Sequence, residues 1–272
     1  MQKFNASPSA IVSSVIRNRH LIYSLAKREV LGRYSGSVFG IMWSFFNPLL
    51  MLLIYTFVFS VIFKARWAGG GGSKIEFAMI LFSGLMVFNV FSECINRAPT
   101  LVLMNVNYVK KVVFPLEVLP VVSLCCALFH GVVSFVVWFI VYSIFLGLPP
   151  LTAVVLPAVL LPMLLMVLGV SWFLASLGVY LRDVNQVVML LTTALLFLSP
   201  IFYPVSALPE NFQNLMHLNP MTGLIEGVRG VLVQGVLPDW SDYLLRLSAS
   251  GLLACIGFAW FQKTREGFAD VL

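Results

Sequence analysis

Long apolar runs separated by short polar connections make up most of the chain. Because a helix needs about 20 mostly apolar residues to cross the hydrocarbon core of a bilayer, five of these runs are long enough to span it. A sixth run is marginal and ends at Ser199-Pro200. The charged residues inside the runs, Glu93 and Arg246, each lie near an end. The pattern predicts six transmembrane helices, at about residues 38–63, 77–96, 121–148, 152–181, 187–203 and 243–261.

Residues 1–36 contain no such run and are moderately amphipathic. Ser7-Pro8 is a favourable pair for the N-cap and first turn of a helix. Ile11 and Val15 then share an apolar face, with basic residues on the opposite face. This pattern predicts a helix in the membrane interface. The helix either anchors the chain only or also contacts a partner.

The connection between the last two runs is long and rich in proline. Its semi-apolar stretch, residues 221–237, is too short and too charged for a span, which favours a re-entrant or interfacial helix pair within residues 204–237. Glu226 and Arg229 are three residues apart and can pair on one helix face. That pair is either structural or part of a gate.

Composition changes the picture by excluding other classes of protein. The chain has 272 residues, of which 60% are hydrophobic and 10% charged. An ordinary soluble domain is roughly 45–50% apolar and about 25% charged. Too few polar residues remain to cover a soluble surface, which excludes a soluble enzyme, a disordered chain and a disulfide-rich secreted module. The four cysteines lie in apolar runs and lack the spacing of a metal site.

Lysine and arginine positions predict the orientation. With six spans both termini lie on one side, and that side holds twelve of the 17 basic residues. We therefore expect cytoplasmic termini and three parts: an interface helix at 1–36, a six-helix transmembrane domain at 37–263 and a cytoplasmic tail at 264–272.

Polar residues inside the membrane are candidates for function. Glu93 precedes Arg97 by one helical turn, which favours a local ion pair and leaves a contact at a pore entrance as the alternative. His130 has no titratable group at a helical spacing, which favours hydrogen-bonded packing over a proton relay.

Aromatic residues crowd the first span. Packing and lipid contact are the default interpretation, and the alternative is that some rings line a channel and stack on sugar faces. The candidates for such a lining are Trp43, Phe46, Tyr55 and Phe59.

No catalytic motif is complete. Gly69–Ser73 is a glycine run followed by Lys74-Ile75, which breaks the order of a phosphate-binding P-loop. The HExxH, GxSxG and dinucleotide-binding patterns do not occur either. The sequence therefore predicts a chain that is not an enzyme and holds no cofactor or metal of its own.

Three runs, taken in order, resemble the permeases of polysaccharide-exporting ABC transporters. They are Arg28–Trp43 with Asn47-Pro48, Asn107–Lys111 with Phe114-Pro115, and Ser199–Pro204 with Pro209, Leu218–Pro220, Ile225 and Arg229. Together they extend over nearly the whole chain. The subgroup most similar to them is the O-antigen lipopolysaccharide exporters, with capsule and teichoic acid exporters as neighbours.

The resemblance implies an assembly and a cargo. Two copies of this chain would enclose a pore, and two copies of a separate P-loop ATPase would bind the ATP and magnesium. The cargo would be a polyprenyl-diphosphate-linked glycan, moved across the bacterial inner membrane. Membrane lipid would be a further partner, and nucleic acid would not.

The resemblance also implies residue roles. Arg28 and Arg33 would receive the lipid diphosphate, since guanidinium groups suit its oxygens. A cytoplasmic loop, which on composition alone only turns the chain, would couple to the ATPase through Asn105, Asn107, Tyr108, Lys110 and Lys111. An outer gate would include Pro204, Pro220, Glu226 and Arg229.

Three rival functions stay open at this point. One is an exporter of the same architecture for a drug or small lipid. Another is a secondary transporter or channel, although such proteins usually bury ion-coupling carboxylates at the membrane midplane and no acidic residue lies near a span centre here. A membrane glycan-processing enzyme is opposed by the missing catalytic motif.

Overall fold

The computed structural model describes residues 7–62, 73–110 and 114–272, and all regular structure in them is helical. Five helical segments there are long and apolar enough to cross a membrane. The five segments are Gly40–Phe59, Lys74–Thr100, Val118–Phe145, Leu151–Tyr180 and Trp240–Val271. The predicted sixth span falls on a helix of 15 residues, Val184–Leu198, which is about 22 Å long and shorter than a bilayer core. The six-span arrangement therefore stays a prediction.

The helices are numbered in chain order. They are α1 Pro8–Arg17, α2 Arg19–Arg33, α3 Trp43–Tyr55, α4 Lys74–Arg97, α5 Val106–Lys110, α6 Val118–Phe145, α7 Leu156–Tyr180, α8 Val184–Leu198, α9 Glu210–Leu218, α10 Pro220–Arg229, α11 Trp240–Thr264 and α12 Phe268–Val271.

The N-terminal segment forms two helices instead of one. Asn18 leaves the helical conformation between α1 and α2, and its side chain donates a hydrogen bond back to the Ser14 carbonyl oxygen. Side chains of this type compete with the helix for backbone groups, which accounts for the break. Ile11 and Val15 pack against the rest of the molecule, as their shared face predicts.

The core is built around α4. Its apolar side chains pack against α3, α6, α7 and α10, and most of them are buried. A second close pair is formed by α7 and α11, where an added Cβ at Gly257 would overlap the Gly169 carbonyl. Glycine at both positions lets the two backbones touch, as is common between membrane helices.

The connection between α8 and α11 forms a helix pair, α9 and α10, which meet at Asn219-Pro220. The Asn219 side chain accepts a hydrogen bond from the Met221 amide and so caps α10, while Pro220 occupies its first position. Helix α10 is buried against α4 and α7, whereas α9 exposes Phe212 and Leu215. Two helices thus fill the predicted gate segment.

Candidate functional site

A polar cleft of about 510 Å³ lies between α3, α4 and α6. That volume is within the range of small-molecule sites. Its lining combines apolar side chains such as Phe82 and Met86 with charged, amide and hydroxyl groups. The polar lining residues are Arg33, Tyr34, Ser44, Asn47, Tyr55, Asn89, Ser92, Glu93, Asn96, Arg97, His130 and Ser134.

One face of α4 supplies many of these groups. Asn89, Ser92, Glu93, Asn96 and Arg97 occupy positions i, i+3, i+4, i+7 and i+8, which places them on one helical face. The prediction from sequence used only Glu93 and Arg97. The complete polar stripe was visible in the spacing, and it is the signal that would have located the cleft.

Glu93 is the centre of a charged cluster. Arg33 Nη1 donates to Glu93 Oε1 over 2.7 Å, and His130 Nδ1 donates to Glu93 Oε2 over 2.9 Å. The Tyr34 hydroxyl lies 3.2 Å from His130 Nε2. Burial raises the pKa of the Tyr34 phenol above its ordinary value. His130 is therefore hydrogen-bonded, but by partners from α2 and α4 that helical spacing does not reveal.

The predicted pair between Glu93 and Arg97 is wrong. Arg97 instead donates to Glu29 of α2. Helix α2 provides both an acid and a base, Glu29 and Arg33, and each pairs with a residue of α4. Two ion pairs between helices thus replace the expected pair within one helix.

The two arginines predicted to receive the diphosphate occupy different places. Arg33 lines the cleft, and its side chain is 46% exposed. Arg28 does not line the cleft: its Nη2 donates to the Tyr108 hydroxyl over 3.0 Å. The structure therefore associates Arg28 with the predicted coupling loop.

The predicted coupling loop contains a short helix, α5. Asn107, Tyr108 and Lys110 lie on α5, and Asn105 ends the turn before it, with its side chain donating to the Leu101 carbonyl oxygen. Asn107 and Lys110 are exposed, while the Tyr108 ring stacks on Phe114 with 4.3 Å between ring centres. Lys111 lies outside the described residues.

The four candidate channel aromatics separate into two groups. Trp43 and Phe46 contact each other edge-on at the start of α3, and Tyr55 contacts Phe59 further along. Of the four, Tyr55 lines the cleft. Phe202, which the sequence interpretation did not include, stacks on Phe59 with centres 5.0 Å apart.

Among the predicted gate residues, Arg229 is 2% exposed and Glu226 is exposed. The Arg229 guanidinium donates to the carbonyl oxygens of Ile80, Pro200 and Ile201. It lies against Gly84, where an added Cβ would be 2.9 Å from Nη2. Arg229 thus connects α10, α4 and the turn after α8, and Pro204 lies just beyond that turn.

The long apolar helices define a multi-pass membrane protein, and its family follows from sequence similarity. Residues 20–233 match the sequence profile of the ABC-2 type transporter family, and the chain belongs to that family. It is a permease subunit without a nucleotide-binding domain, not an enzyme, and its family implies an ABC ATPase as partner.

The chain resembles permeases of polysaccharide export along nearly its whole length. It is 29% identical to the O-antigen export system permease protein RfbA of Myxococcus xanthus, over 96% of this chain and 98% of the relative. It is 26% identical to RfbA of Klebsiella pneumoniae, over 93% and 95% respectively. It is also 24% identical to the polysialic acid transport protein KpsM of Escherichia coli, over 90% and 93%.

Proposed function

We propose that this chain is the membrane subunit of an ATP-driven exporter that moves a lipid-linked, O-antigen-like polysaccharide out of the cytoplasm. The observation that carries this proposal is the polar cleft, together with the likeness to O-antigen permeases over nearly the whole chain. A glycan needs hydroxyl-binding amides and aromatic faces along its path. The cleft offers Asn47, Asn89 and Asn96 for hydrogen bonds and Tyr55 for stacking.

Arg33 is the residue suited to the diphosphate of the lipid carrier. Its half-exposed guanidinium lies at the cleft rim, and a guanidinium donates in a fork that fits phosphate oxygens. The anion would replace Glu93 as its partner. Arg28 contributes positive charge nearby on α2 while it is bonded to Tyr108.

The remaining assignments follow from the same function. The chain spans the bacterial inner membrane six times, with α8 as the shortest span and both termini in the cytoplasm. Helix α5 is exposed at Asn107 and Lys110 and docks on the ATPase, which holds the ATP and magnesium. Helices α9 and α10, with Pro204, Pro220, Glu226 and Arg229, form the outer gate.

A second copy of the chain completes the pore. In the first span only 6% of the most apolar stretch is buried within this chain, and its exposed residues include Leu53, Ile54 and Phe57. This span also forms one wall of the cleft. A second copy packed on it would shield the cleft from lipid.

The test is a mild-detergent purification of the chain from cells, combined with deletion of its gene. We expect a P-loop ATPase to co-purify in equal amount, and we expect the deletion strain to lose surface polysaccharide and accumulate the lipid-linked precursor in the cytoplasm. If no ATPase is recovered after cross-linking, or if surface glycan is unchanged, the proposal fails.

A capsule-type polysaccharide is the second candidate cargo. It is favoured by the likeness to the polysialic acid transport protein. The chemical identity of the accumulated precursor in the deletion strain separates the two cargoes.

A further inference from the structure

Glu117, a buried acid just before α6, connects α6 with α1, α7 and the segment after α11 through its carboxylate and its backbone carbonyl. Glu117 is 7% exposed, and both of its carboxylate oxygens accept hydrogen bonds. Ser14 Oγ of α1 donates to Oε1 over 2.9 Å, and Arg265 Nη1, just after α11, donates to Oε2 over 2.6 Å. Trp172 Nε1 of α7 donates to the Glu117 carbonyl oxygen over 2.9 Å.

Arg265 extends this connection to the segment that follows α5. Its Nη2 donates to the Phe114 carbonyl oxygen over 2.6 Å. The Phe114 ring stacks nearly parallel on Tyr108 of α5, with 11° between the ring planes. Together Ser14, Phe114, Glu117, Trp172 and Arg265 form what we call the Glu117 clasp.

The α5 helix is held at further points around the clasp. Tyr108 accepts a hydrogen bond from Arg28 of α2, and α12 packs against α5 through a segment whose Phe268 is fully buried. A displacement of α5 therefore reaches α2 directly through Tyr108 and Arg28, and it reaches α1 and the end of α11 indirectly, through Phe114, Arg265 and Glu117. None of the five clasp residues lines the polar cleft.

A buried ion pair is an unusual choice if stability alone is needed. Well-packed apolar residues of similar volume are often as stabilising, because burying two charges costs desolvation free energy. The ion pair adds geometric specificity, because a carboxylate and a guanidinium fork fix the relative position of the groups that they join. Here the joined groups belong to α1, α6, α11 and the segment next to α5.

We infer that Glu117 and Arg265 are positioning residues that transmit displacement of α5 to the N-terminal helix and to the last span. This inference rests on the proposed docking of the ATPase at α5. When the ATPase moves α5, the clasp makes α1 and the end of α11 follow. Without the clasp, ATP would be hydrolysed with less movement of the membrane helices and less export.

The experiment uses the full chain in complex with its ATPase and compares Glu117→Gln, Arg265→Lys and Glu266→Gln. Gln keeps the shape of Glu117 without its charge, and Lys keeps the charge of Arg265 without the fork. Glu266 is exposed and adjacent to Arg265, so its variant is the matched control. ATP hydrolysis, export and the amount of assembled complex are measured for each.

We expect export per ATP hydrolysed to fall about ten-fold in Glu117→Gln and Arg265→Lys, as for residues that couple distant sites. In both variants, ATP hydrolysis and the amount of assembled complex should stay within about two-fold of the values for the unchanged protein. The Glu266→Gln control should match the unchanged protein in all three measurements. An unchanged ratio of export to hydrolysis in both clasp variants would overturn the inference. Ser14→Ala, which removes one hydrogen bond only, provides a smaller change in the same ratio if the larger variants do not assemble.

A distance measurement separates this inference from the proposed function. Spin labels carried by encoded amino acids at exposed Ser13 of α1 and Asn107 of α5 report how firmly the two helices are joined. We expect one narrow distance distribution, which broadens in Glu117→Gln whether or not the ATPase is bound. An unchanged distribution contradicts the clasp, whereas failure of the ATPase to cross-link to α5 in the unchanged chain contradicts the docking assignment.

Discussion

The first span and the α4 span have the same mean hydropathy, yet they occupy opposite environments. In α4, 78% of the most apolar stretch is buried inside this chain, whereas in the first span the share is 6%. Both spans also face the polar cleft, α3 from one side and α4 from the other. One is the core helix of the molecule and the other is a wall that a further partner or lipid must cover.

This difference shows that hydropathy identifies a membrane span but does not indicate whether the span contacts lipid or protein. Lipid and a protein interior are both apolar, so the same composition suits either. What distinguishes α4 is its polar stripe, which must be hydrogen-bonded by protein or substrate. In the first span polar groups are few, and large apolar side chains such as Leu53 and Phe57 are exposed.

The largest effect should come from truncating the core helix. Leu81 of α4 is 1% exposed and Leu53 of α3 is 59% exposed. We expect Leu81→Ala to lower the free energy of unfolding by about 2–5 kcal/mol, because a cavity remains. In detergent that holds the chain as a monomer, Leu53→Ala should change it by less than about 0.5 kcal/mol. Thermal unfolding in detergent measures both, and equal losses would mean that α3 is buried in the same way as α4.

The second-largest loss of stability is expected at Arg229, which connects α10 to α4. We expect Arg229→Ala to destabilise the protein by about 1–3 kcal/mol, because buried carbonyl oxygens at Ile80 and Ile201 lose their donor. Arg182 is exposed in the turn between α7 and α8, and Arg182→Ala is the control. The same thermal measurement applies. A stability loss no larger than that of the control contradicts the structural role of Arg229.

The features that sequence could predict are those encoded locally. Apolar runs locate the spans because roughly 20 consecutive residues carry the signal. Asn219-Pro220 marks the start of α10 because the cap and the first turn are adjacent residues. The family resemblance needed only short runs in order, and the match over residues 20–233 bears it out.

Partners from other helices could not be predicted in this way. Spacing within α4 predicted Arg97 as the partner of Glu93, but α2 brings Arg33 and Glu29 against the same face. His130 and the Glu117 clasp are further examples, since Glu117 and Arg265 are 148 residues apart in the chain. Such contacts depend on how the helices pack, which one sequence does not specify.

A smaller effect tests whether Arg33 is the residue of the cleft that binds the diphosphate. Glu93 neutralises Arg33 and repels an anion. Because a partly exposed ion pair contributes about 1 kcal/mol, Glu93→Gln should raise the affinity for a polyprenyl diphosphate about five-fold. Asp183 is exposed outside the cleft, and Asp183→Asn is the control. Binding is measured on the purified complex. An affinity that falls or stays the same would show that Arg33 is not the headgroup contact.

The mildest change tests the outward face of α3. Leu53→Cys should form a disulfide-linked dimer on oxidation in membranes, because this face packs on a second copy. Leu52 is adjacent but 4% exposed, so Leu52→Cys should not form one. The unchanged chain, with its four native cysteines, gives the background. Gel electrophoresis without reductant detects the dimer, and its absence at Leu53 and the other exposed α3 positions would leave lipid as the neighbour of this face.

The central claim is that Arg33 in the polar cleft receives the diphosphate of a lipid-linked glycan. Its most direct test is ATP-driven transport of that glycan by the complex in lipid vesicles, with Arg33→Ala compared with Lys27→Ala, an exposed basic residue of the same helix. We predict that Arg33→Ala lowers transport about ten-fold or more, as loss of hydrogen bonds to a charged group requires, while Lys27→Ala transports normally. Equal transport by the two variants would contradict the claim.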